Sequence, residues 1–141
     1  MKTRFTPLFL MKKNRLEQCE RDLARANTNL HNAQNAVEEA YIALKELQNI
    51  MSGTIQEMLA QRAVLEIRRR NLDEKREWEA FAAKEVKSFE KLMQQAYIEY
   101  EKYKYLETKE IERIVKERNK KEAKQFDESA LQSYMYRQEK Q

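Results

Sequence analysis

The stretch Asn49-Ile50-Met51-Ser52-Gly53-Thr54-Ile55-Gln56-Glu57 decides the fold of this chain. It contains the only glycine of the sequence, and Gly53 is expected to end a helix, because glycine adopts the left-handed conformation at a helix C-terminus with little steric cost. Thr54 and Glu57 have the spacing of a capping box, which starts a new helix at once. A helix end and a helix start this close predict a turn at 52–54, with the second helix folded back along the first.

The composition is that of long helices. Of the 141 residues, 37% are charged, and there is one glycine and one proline, a bias that accompanies coiled coils. The net charge of +4 comes from 28 basic and 24 acidic residues whose signs are well mixed, unlike the block-basic arms that bind nucleic acid. No stretch approaches the roughly 20 apolar residues of a membrane span. We therefore expect a cytoplasmic protein that contacts membranes only through its partners, without direct membrane insertion.

The first helix is predicted over about 7–52, with Thr6 as its cap and Pro7 at its first position. Apolar residues recur every seven residues, and a second, mostly alanine series follows three residues later, as in a coiled-coil seam. The first series is Leu16, Leu23, Leu30, Val37, Leu44 and Met51, and the second is Cys19, Ala26, Ala33, Ala40 and Leu47. Since alanine lets two helix backbones approach closely, this pattern predicts tight packing against a partner helix.

The second helix is predicted over about 55–126, followed by a frayed tail at 127–141. Its main apolar series is Met58, Leu65, Leu72, Val86, Met93, Tyr100 and Ile114, whereas Gln61, Arg68 and Lys75 stand where a second series should be apolar. If the bend is centred on Gly53, residue n lies roughly opposite residue 106 − n, so Leu16 faces Phe89. Residues beyond about 104 then have no partner. The expected fold is all-α: a single domain over 1–141, a long antiparallel two-helix coiled-coil hairpin with an overhanging C-terminal helix.

The residue types needed for catalysis are not grouped in this sequence. With one glycine, one cysteine and one histidine there is no phosphate-binding glycine loop and no metal-ligand cluster. We therefore expect no catalytic, cofactor or metal site, and we expect that the chain is not an enzyme. His31 is interpreted as a solvated helix residue and Cys19 as a small core residue.

Two basic stretches are candidates for binding an acidic protein, a phosphate or a nucleic acid. One lies in the overhang and the other in the first sixteen residues, which contain no acid before Glu17. Their candidate contact residues are Lys116, Arg118, Lys120, Lys121 and Lys124, and Lys2, Arg4, Lys12 and Lys13. A third basic run, Arg68-Arg69-Arg70 with Lys75-Arg76, is interpreted as an ordinary solvated face.

Apolar residues near the bend exceed what a tight turn requires. They are Ile50, Met51, Ile55, Met58 and Leu59. They either close the hairpin or form a tip that binds another protein. Trp78 and Phe81 lie partly off the seam, and an exposed aromatic pair would be a second candidate contact for a partner.

The chain opens with Lys2-Thr3-Arg4-Phe5-Thr6-Pro7-Leu8, and the pair Lys12-Lys13 follows. An alanine-rich heptad helix, a single turn and a longer second helix come next. Together these features resemble the FliJ family. These proteins are the small coiled-coil components of the bacterial flagellar type III export apparatus. The resemblance implies a stalk that binds the centre of the hexameric flagellar export ATPase with the end where both termini lie. It also implies contact with the cytoplasmic domain of the membrane export gate, and some members handle export chaperones. The expected location is cytoplasmic and peripheral, at the cytoplasmic face of the inner membrane.

On this resemblance, the two basic stretches are the candidate ATPase contacts, and the apolar tip or the Trp78–Phe81 stretch is the candidate contact for the gate. One alternative is a coiled-coil scaffold or chaperone of a related secretion system. Another is a basic helical nucleic-acid binder, against which the mixed charge argues. A monomeric hairpin and an extended dimer both remain open, because a seam that packs on itself can also pack on a second chain.

Overall fold

The computed structural model describes residues 1–49 and 53–139 of the chain. These residues form two helices, α1 over Thr6–Asn49 and α2 over Ile55–Glu139, and include no strand. The helices pack against each other, which confirms the all-α, two-helix prediction. Their contacts divide the chain into a terminal unit, Met1–Asn14 with Ile98–Gln141, and a central unit, Arg15–Tyr97. The prediction of a single domain stays a prediction.

α1 begins at Thr6, and its cap is Thr3 instead of the predicted Thr6. Thr3 Oγ1 accepts a hydrogen bond from the Phe5 N–H at 3.1 Å, and Thr6 Oγ1 accepts one from the Thr3 N–H at 2.8 Å. This reciprocal pair satisfies N–H groups that the first turn of a helix leaves without an internal partner. The Thr6 hydroxyl also donates to Glu107 Oε1 of α2 at 2.7 Å. The first turn of α1 is therefore tied directly to α2.

The residues around Gly53 start α2 by local chemistry. Gly53 has a φ of 132°, which residues with a Cβ rarely adopt, and a Cβ here would collide with the Glu57 carboxylate. Thr54 Oγ1 accepts a hydrogen bond from the Glu57 N–H, and Glu57 Oε2 accepts one from the Thr54 N–H, both at 3.3 Å. These two bonds are a capping box. The predicted positions Ile50, Met51 and Ser52 lie outside the described residues.

Alanine forms much of the contact between the helices of the central unit. Ala33 and Ala82 have no exposed surface, and the thiol-bearing Cys19 is 4% exposed. All the buried side chains among the described residues lie in this unit: Leu16, Cys19, Ala26, Ala33, Ala40, Leu44, Leu65, Leu72, Ala82, Val86 and Ala96. The small-residue series of α1 is the more deeply buried one, because Leu23, Leu30 and Val37 of the other series are only half-buried. His31 is exposed, as predicted.

A polar side chain enters this seam beside a cluster of buried apolar residues. Ala40, Leu44, Leu65 and Leu72 form that cluster, with Val37 and Leu47 packed against it. Arg68 is half-buried, and its Nη1 donates to the backbone carbonyl oxygen of Ala43 at 2.7 Å. A charged group withdrawn from water needs such a partner, and a guanidinium is long enough to find one on the opposite backbone. At the heptad position where Arg68 replaces an apolar residue, a hydrogen bond therefore joins the two helices.

Within the terminal unit, half-exposed side chains hold the two helices together. The rings of Phe9 and Tyr100 stack with centroids 5.6 Å apart and planes at 29°. Lys12 Nζ lies 3.7 Å from Glu99 Oε2 and 5.6 Å from the centre of the Tyr103 ring. No described residue of this unit is buried. Its helix contact is consequently thinner than that of the central unit.

The register of the two helices differs from the predicted one. Ala43 bonds to Arg68, and Asp22 shares a groove with Phe89. The numbers in each pair add to 111, so residue n of α1 in the central unit lies roughly opposite residue 111 − n. The predicted pairing of Leu16 with Phe89 is therefore wrong by about two helical turns.

The shift arises where α2 begins. Residues 55–60 are all exposed, and half-buried and buried positions start only at Gln61. Counting symmetrically from Gly53 assumed that both helices meet directly at the bend. Since the first turns of α2 do not bury side chains against α1, the facing residues move several positions along α2.

α2 also continues further than predicted. It is helical to Glu139, whereas the sequence predicted a frayed tail from residue 127. This stretch contains neither glycine nor proline, and its Ala, Leu, Met, Gln and Glu residues favour a helix. From Val115 to Glu139 every residue is exposed. Within the described segments, neither helix carries an apolar stretch long enough to cross a lipid bilayer.

Candidate functional site

The candidate functional groups among the described residues are side chains on the surface of the helices. They include no group of three or more His, Cys, Asp or Glu side chains that could hold a metal ion. The cavities are open grooves, of which the one lined by Asp22, Arg25, Ala26, Asn29, Glu85 and Phe89 has a volume of about 350 Å³. The groups that remain to be considered are charged and apolar side chains available to a partner.

The N-terminal basic residues belong to the terminal unit, and one of them is already engaged. Lys12 is half-buried between Glu99 and Tyr103, so its charge is largely used within the chain. Lys2 and Lys13 are exposed, and the Arg4 guanidinium lies 4.9 Å from the centre of the Phe5 ring. Of this predicted set, the exposed members are better suited to meet a partner than Lys12.

The C-terminal basic residues lie in the same unit and are exposed without exception: Lys116, Arg118, Lys120, Lys121 and Lys124. Just before them, Arg113 donates to Glu110 at 2.7 Å and to Glu117 at 2.9 Å. The Arg113 hydrogen bond lowers the pKa of Glu110 below its usual 4.5, and Arg4 contributes a smaller attraction in the same direction. Glu110 in turn raises the pKa of Arg113. A charged network therefore leads into the basic run.

The apolar residues near the turn are exposed where the structure describes them. Ile55 is 79% exposed, Met58 46% and Leu59 59%. With Arg62 they line an open cavity of about 270 Å³ at the start of α2. Ile50 and Met51, the other predicted members, lie outside the described residues. The three described side chains form an apolar patch in the central unit, which we call the turn patch.

Of the predicted aromatic pair Trp78 and Phe81, only Phe81 is exposed to a partner. Phe81 is 60% exposed, whereas Trp78 is half-buried with Lys75 Nζ 5.7 Å from the centre of its ring. Trp78 contributes to packing and leaves Phe81 as the exposed member. The interpretation of both residues as a free aromatic surface therefore applies to Phe81 alone.

Sequence reasoning missed the exposed apolar residues of the C-terminal half of α2. They are Ile98, Tyr105, Phe126, Leu131, Tyr134, Met135 and Tyr136, each more than half exposed. The signal was present, because aromatic residues are unusual in a solvated polar tail. For Leu131, Tyr134, Met135 and Tyr136, the predicted fraying of residues 127–141 removed any helical face on which to place them.

These features define a two-helix coiled-coil protein whose candidate sites are exposed surfaces. The sequence model of the family described as Flagellar FliJ protein matches residues 1–139. The chain therefore belongs to the FliJ family, which confirms the resemblance and supports a role as a component of type III flagellar export.

Among solved structures, the chain is similar to CT670 from Chlamydia trachomatis, described as a homologue of YscO. The TM-score is 0.50 and the identity 19%, with 100% of this chain and 99% of that chain covered. At this identity the similarity concerns the fold alone. No curated protein sequence matches the chain.

Proposed function

We propose that this chain is a non-enzymatic stalk of the flagellar type III export apparatus. It binds the hexameric export ATPase through the terminal unit and the cytoplasmic domain of the membrane export gate through the central unit. It acts at the cytoplasmic face of the inner membrane, and export chaperones are further partners. Nucleic acid is not among them, because the charges of both signs are mixed along the chain.

One observation carries the ATPase half of this proposal. α2 has 85 residues and α1 has 44, and every residue from Val115 to Glu139 is exposed. We interpret this segment as an overhang that extends past the contact with α1. A helical segment without packing inside its own chain is marginal in water, so a surrounding partner would supply the missing contacts.

The charges of the overhang suit a partner with an acidic lining. Residues 116–124 contain five basic and two acidic side chains, all exposed. Lys2 and Arg4 add positive charge in the same unit. Electrostatic attraction of this kind raises the rate of association and falls as salt increases.

The test is a titration of the chain into the matching export ATPase, with hexamer formation and ATP turnover as readouts. Lys120→Glu/Lys121→Glu should abolish or strongly reduce stimulation. Arg69→Glu/Arg70→Glu is the matched control, since it changes net charge equally at two exposed positions of the central unit. No stimulation by the unaltered chain at micromolar concentration, or equal loss in both variants, would contradict the ATPase assignment.

The gate half of the proposal uses the apolar surface of the central unit. Leu59→Ser/Phe81→Ser should weaken binding to the isolated cytoplasmic domain of the gate, because exposed apolar anchors carry much of the energy of such interfaces. Ile67→Ser is the control, at a residue of the same unit that is 65% exposed. Binding that is unchanged by the double variant would remove the turn patch and Phe81 from the gate contact.

A scaffold or chaperone of a related secretion system is the second candidate. It is favoured by the likeness in fold, over nearly the full length of both chains, to the protein described as a YscO homologue. Measuring stimulation of a flagellar ATPase and of a virulence-type secretion ATPase side by side separates the two. Stronger stimulation of the second enzyme would favour this alternative.

A further inference from the structure

Six basic residues of α2 line up along one face within the terminal unit. They are Lys102, Lys109, Arg113, Lys116, Lys120 and Lys124, and we call them the basic ridge. Their spacings of seven, four, three, four and four residues keep them within about 80° around a helix of 3.6 residues per turn. The ridge is about 33 Å long. All six residues are exposed.

Lys109 and Lys116 of the basic ridge lie opposite two contacts that α2 makes with α1. Tyr100 stacks on Phe9 of α1, and Lys109 follows Tyr100 by nine residues, or two and a half turns. Lys116 follows Glu107, which bonds to Thr6, by the same interval. Two and a half turns separate opposite faces of a helix. Together with the exposure of all six residues, this leaves the ridge accessible to an approaching surface.

The ridge is neutralised only in part. Lys109 lies 3.5 Å from Glu112, and Arg113 is paired with Glu110 and Glu117. Within the described part of the chain, Lys116, Lys120 and Lys124 form no ion pair. These three are spaced i, i+4, i+8, so they present a continuous row of positive charge.

Exposed apolar side chains flank this row on the same face. Ile98 precedes Lys116 by eighteen residues and Tyr134 follows it by eighteen, which is five whole turns in each direction. They are 65% and 60% exposed. Tyr105 and Leu131, 62% and 55% exposed, lie within about 60° of the same line. The face thus carries lysines, which anionic headgroups attract, between apolar side chains, among them tyrosines of the type enriched at membrane interfaces.

We propose that this face of α2 lies on an anionic lipid bilayer, with the basic ridge on the headgroups and the flanking apolar side chains in the interface. Cytoplasmic leaflets rich in anionic lipids attract clusters of lysine and arginine. This contact goes beyond the proposed function, in which the membrane is reached only through the gate, and it is an alternative to ATPase binding because both contacts use Lys116, Lys120 and Lys124. A flat anionic surface matches a straight row of charge better than a nucleic-acid backbone does, and only the bilayer accommodates the apolar residues at both ends.

The test uses the purified full-length chain and sedimentation with vesicles of phosphatidylcholine containing about 30% phosphatidylglycerol. Lys116→Gln/Lys120→Gln removes two ridge charges, and Arg118→Gln/Lys121→Gln removes two that lie outside the ridge, about 160° and 100° around the helix from its midline. We expect the ridge variant to bind about tenfold more weakly or worse, and the control variant to change by less than threefold. Pure phosphatidylcholine vesicles should sediment little protein.

A second measurement follows the apolar part of the contact. Tyr134→Trp in a Trp78→Phe background places a single indole on the proposed face, and its emission should shift to the blue on phosphatidylglycerol vesicles. An unshifted emission, an absence of vesicle binding, or equal loss in both charge variants would overturn the proposal. So would tighter binding to duplex DNA through the same two lysines. The ATPase is absent throughout, so failure here is separate from failure of the proposed stalk.

Discussion

The register of the central unit can be tested by two disulfide crosslinks that share one cysteine position. Leu16→Cys is combined with either Ala96→Cys or Phe89→Cys, each in a Cys19→Ala background. In the register set by the contacts of α1 and α2, residue 16 lies opposite residues 95–96. We expect the 16–96 pair to crosslink within one chain and the 16–89 pair to remain reduced.

The expected difference follows from helix geometry. The seven residues between Phe89 and Ala96 span about 10 Å along α2, and packed helices have axes about 8 Å apart. A disulfide needs Cα atoms within about 7 Å of each other, which an axial offset of 10 Å excludes. Ala96 is buried and Phe89 half-buried, so both positions face α1 and only the offset separates them.

The assay is mild oxidation of dilute protein, followed by a non-reducing gel and mass spectrometry to separate crosslinks within a chain from those between chains. Efficient crosslinking of the 16–89 pair without crosslinking of the 16–96 pair would refute this register. It would favour the register predicted by placing the bend at Gly53. Crosslinks only between chains would instead indicate an extended dimer.

Three further substitutions test the packing and the charges. Ala82→Leu should destabilise the fold by about 1–3 kcal/mol through overpacking, as measured by urea unfolding. The control Ala24→Leu, at an exposed position, should change the stability by less than about 0.5 kcal/mol. Equal effects of the two substitutions would mean that the seam is not tightly packed. Thr6→Val removes the hydrogen bond that the Thr6 hydroxyl donates to the Glu107 carboxylate. The loss should lower the stability of the fold by about 1 kcal/mol or more, seen as faster amide exchange in the first turns of α1. Arg113→Gln should return the pKa of Glu110 upward toward 4.5, followed by NMR titration of the carboxyl. The pKa of Glu110 is lower in the folded chain than in the unfolded chain. Its ion pair with Arg113 therefore stabilises the fold at pH values above the unfolded pKa, and this stabilisation is lost as the pH falls through the folded pKa. An unchanged pKa in the variant would exclude Arg113 as the cause.

Local chemistry explains why much of the fold could be predicted. The positive φ of Gly53 and the reciprocal bonds of Thr54 and Glu57 depend on residues within five positions of one another. The burial of the alanine series likewise follows from a period that repeats along a single helix. Such features need no knowledge of the partner helix.

The candidate surfaces were only partly predictable for the same reason. Exposure of the C-terminal lysines follows from a charged helix, but the half-buried state of Trp78 depends on its surroundings. The face shared by Ile98, Lys116 and Tyr134 emerges only once α2 is known to continue without a break to Glu139.

The sequence by itself determined two long helices, the capping box that starts the second helix and the alanine-rich seam, because each is encoded by neighbours or by a regular period. The tertiary structure alone decided the register, because a heptad seam fits equally well after a slip of whole heptads or a shift at the bend. The hydrogen bond between Arg68 and Ala43 and that between Thr6 and Glu107 join residues far apart in the chain. Contacts of that kind select one alignment, and with it the side of α2 that is left exposed.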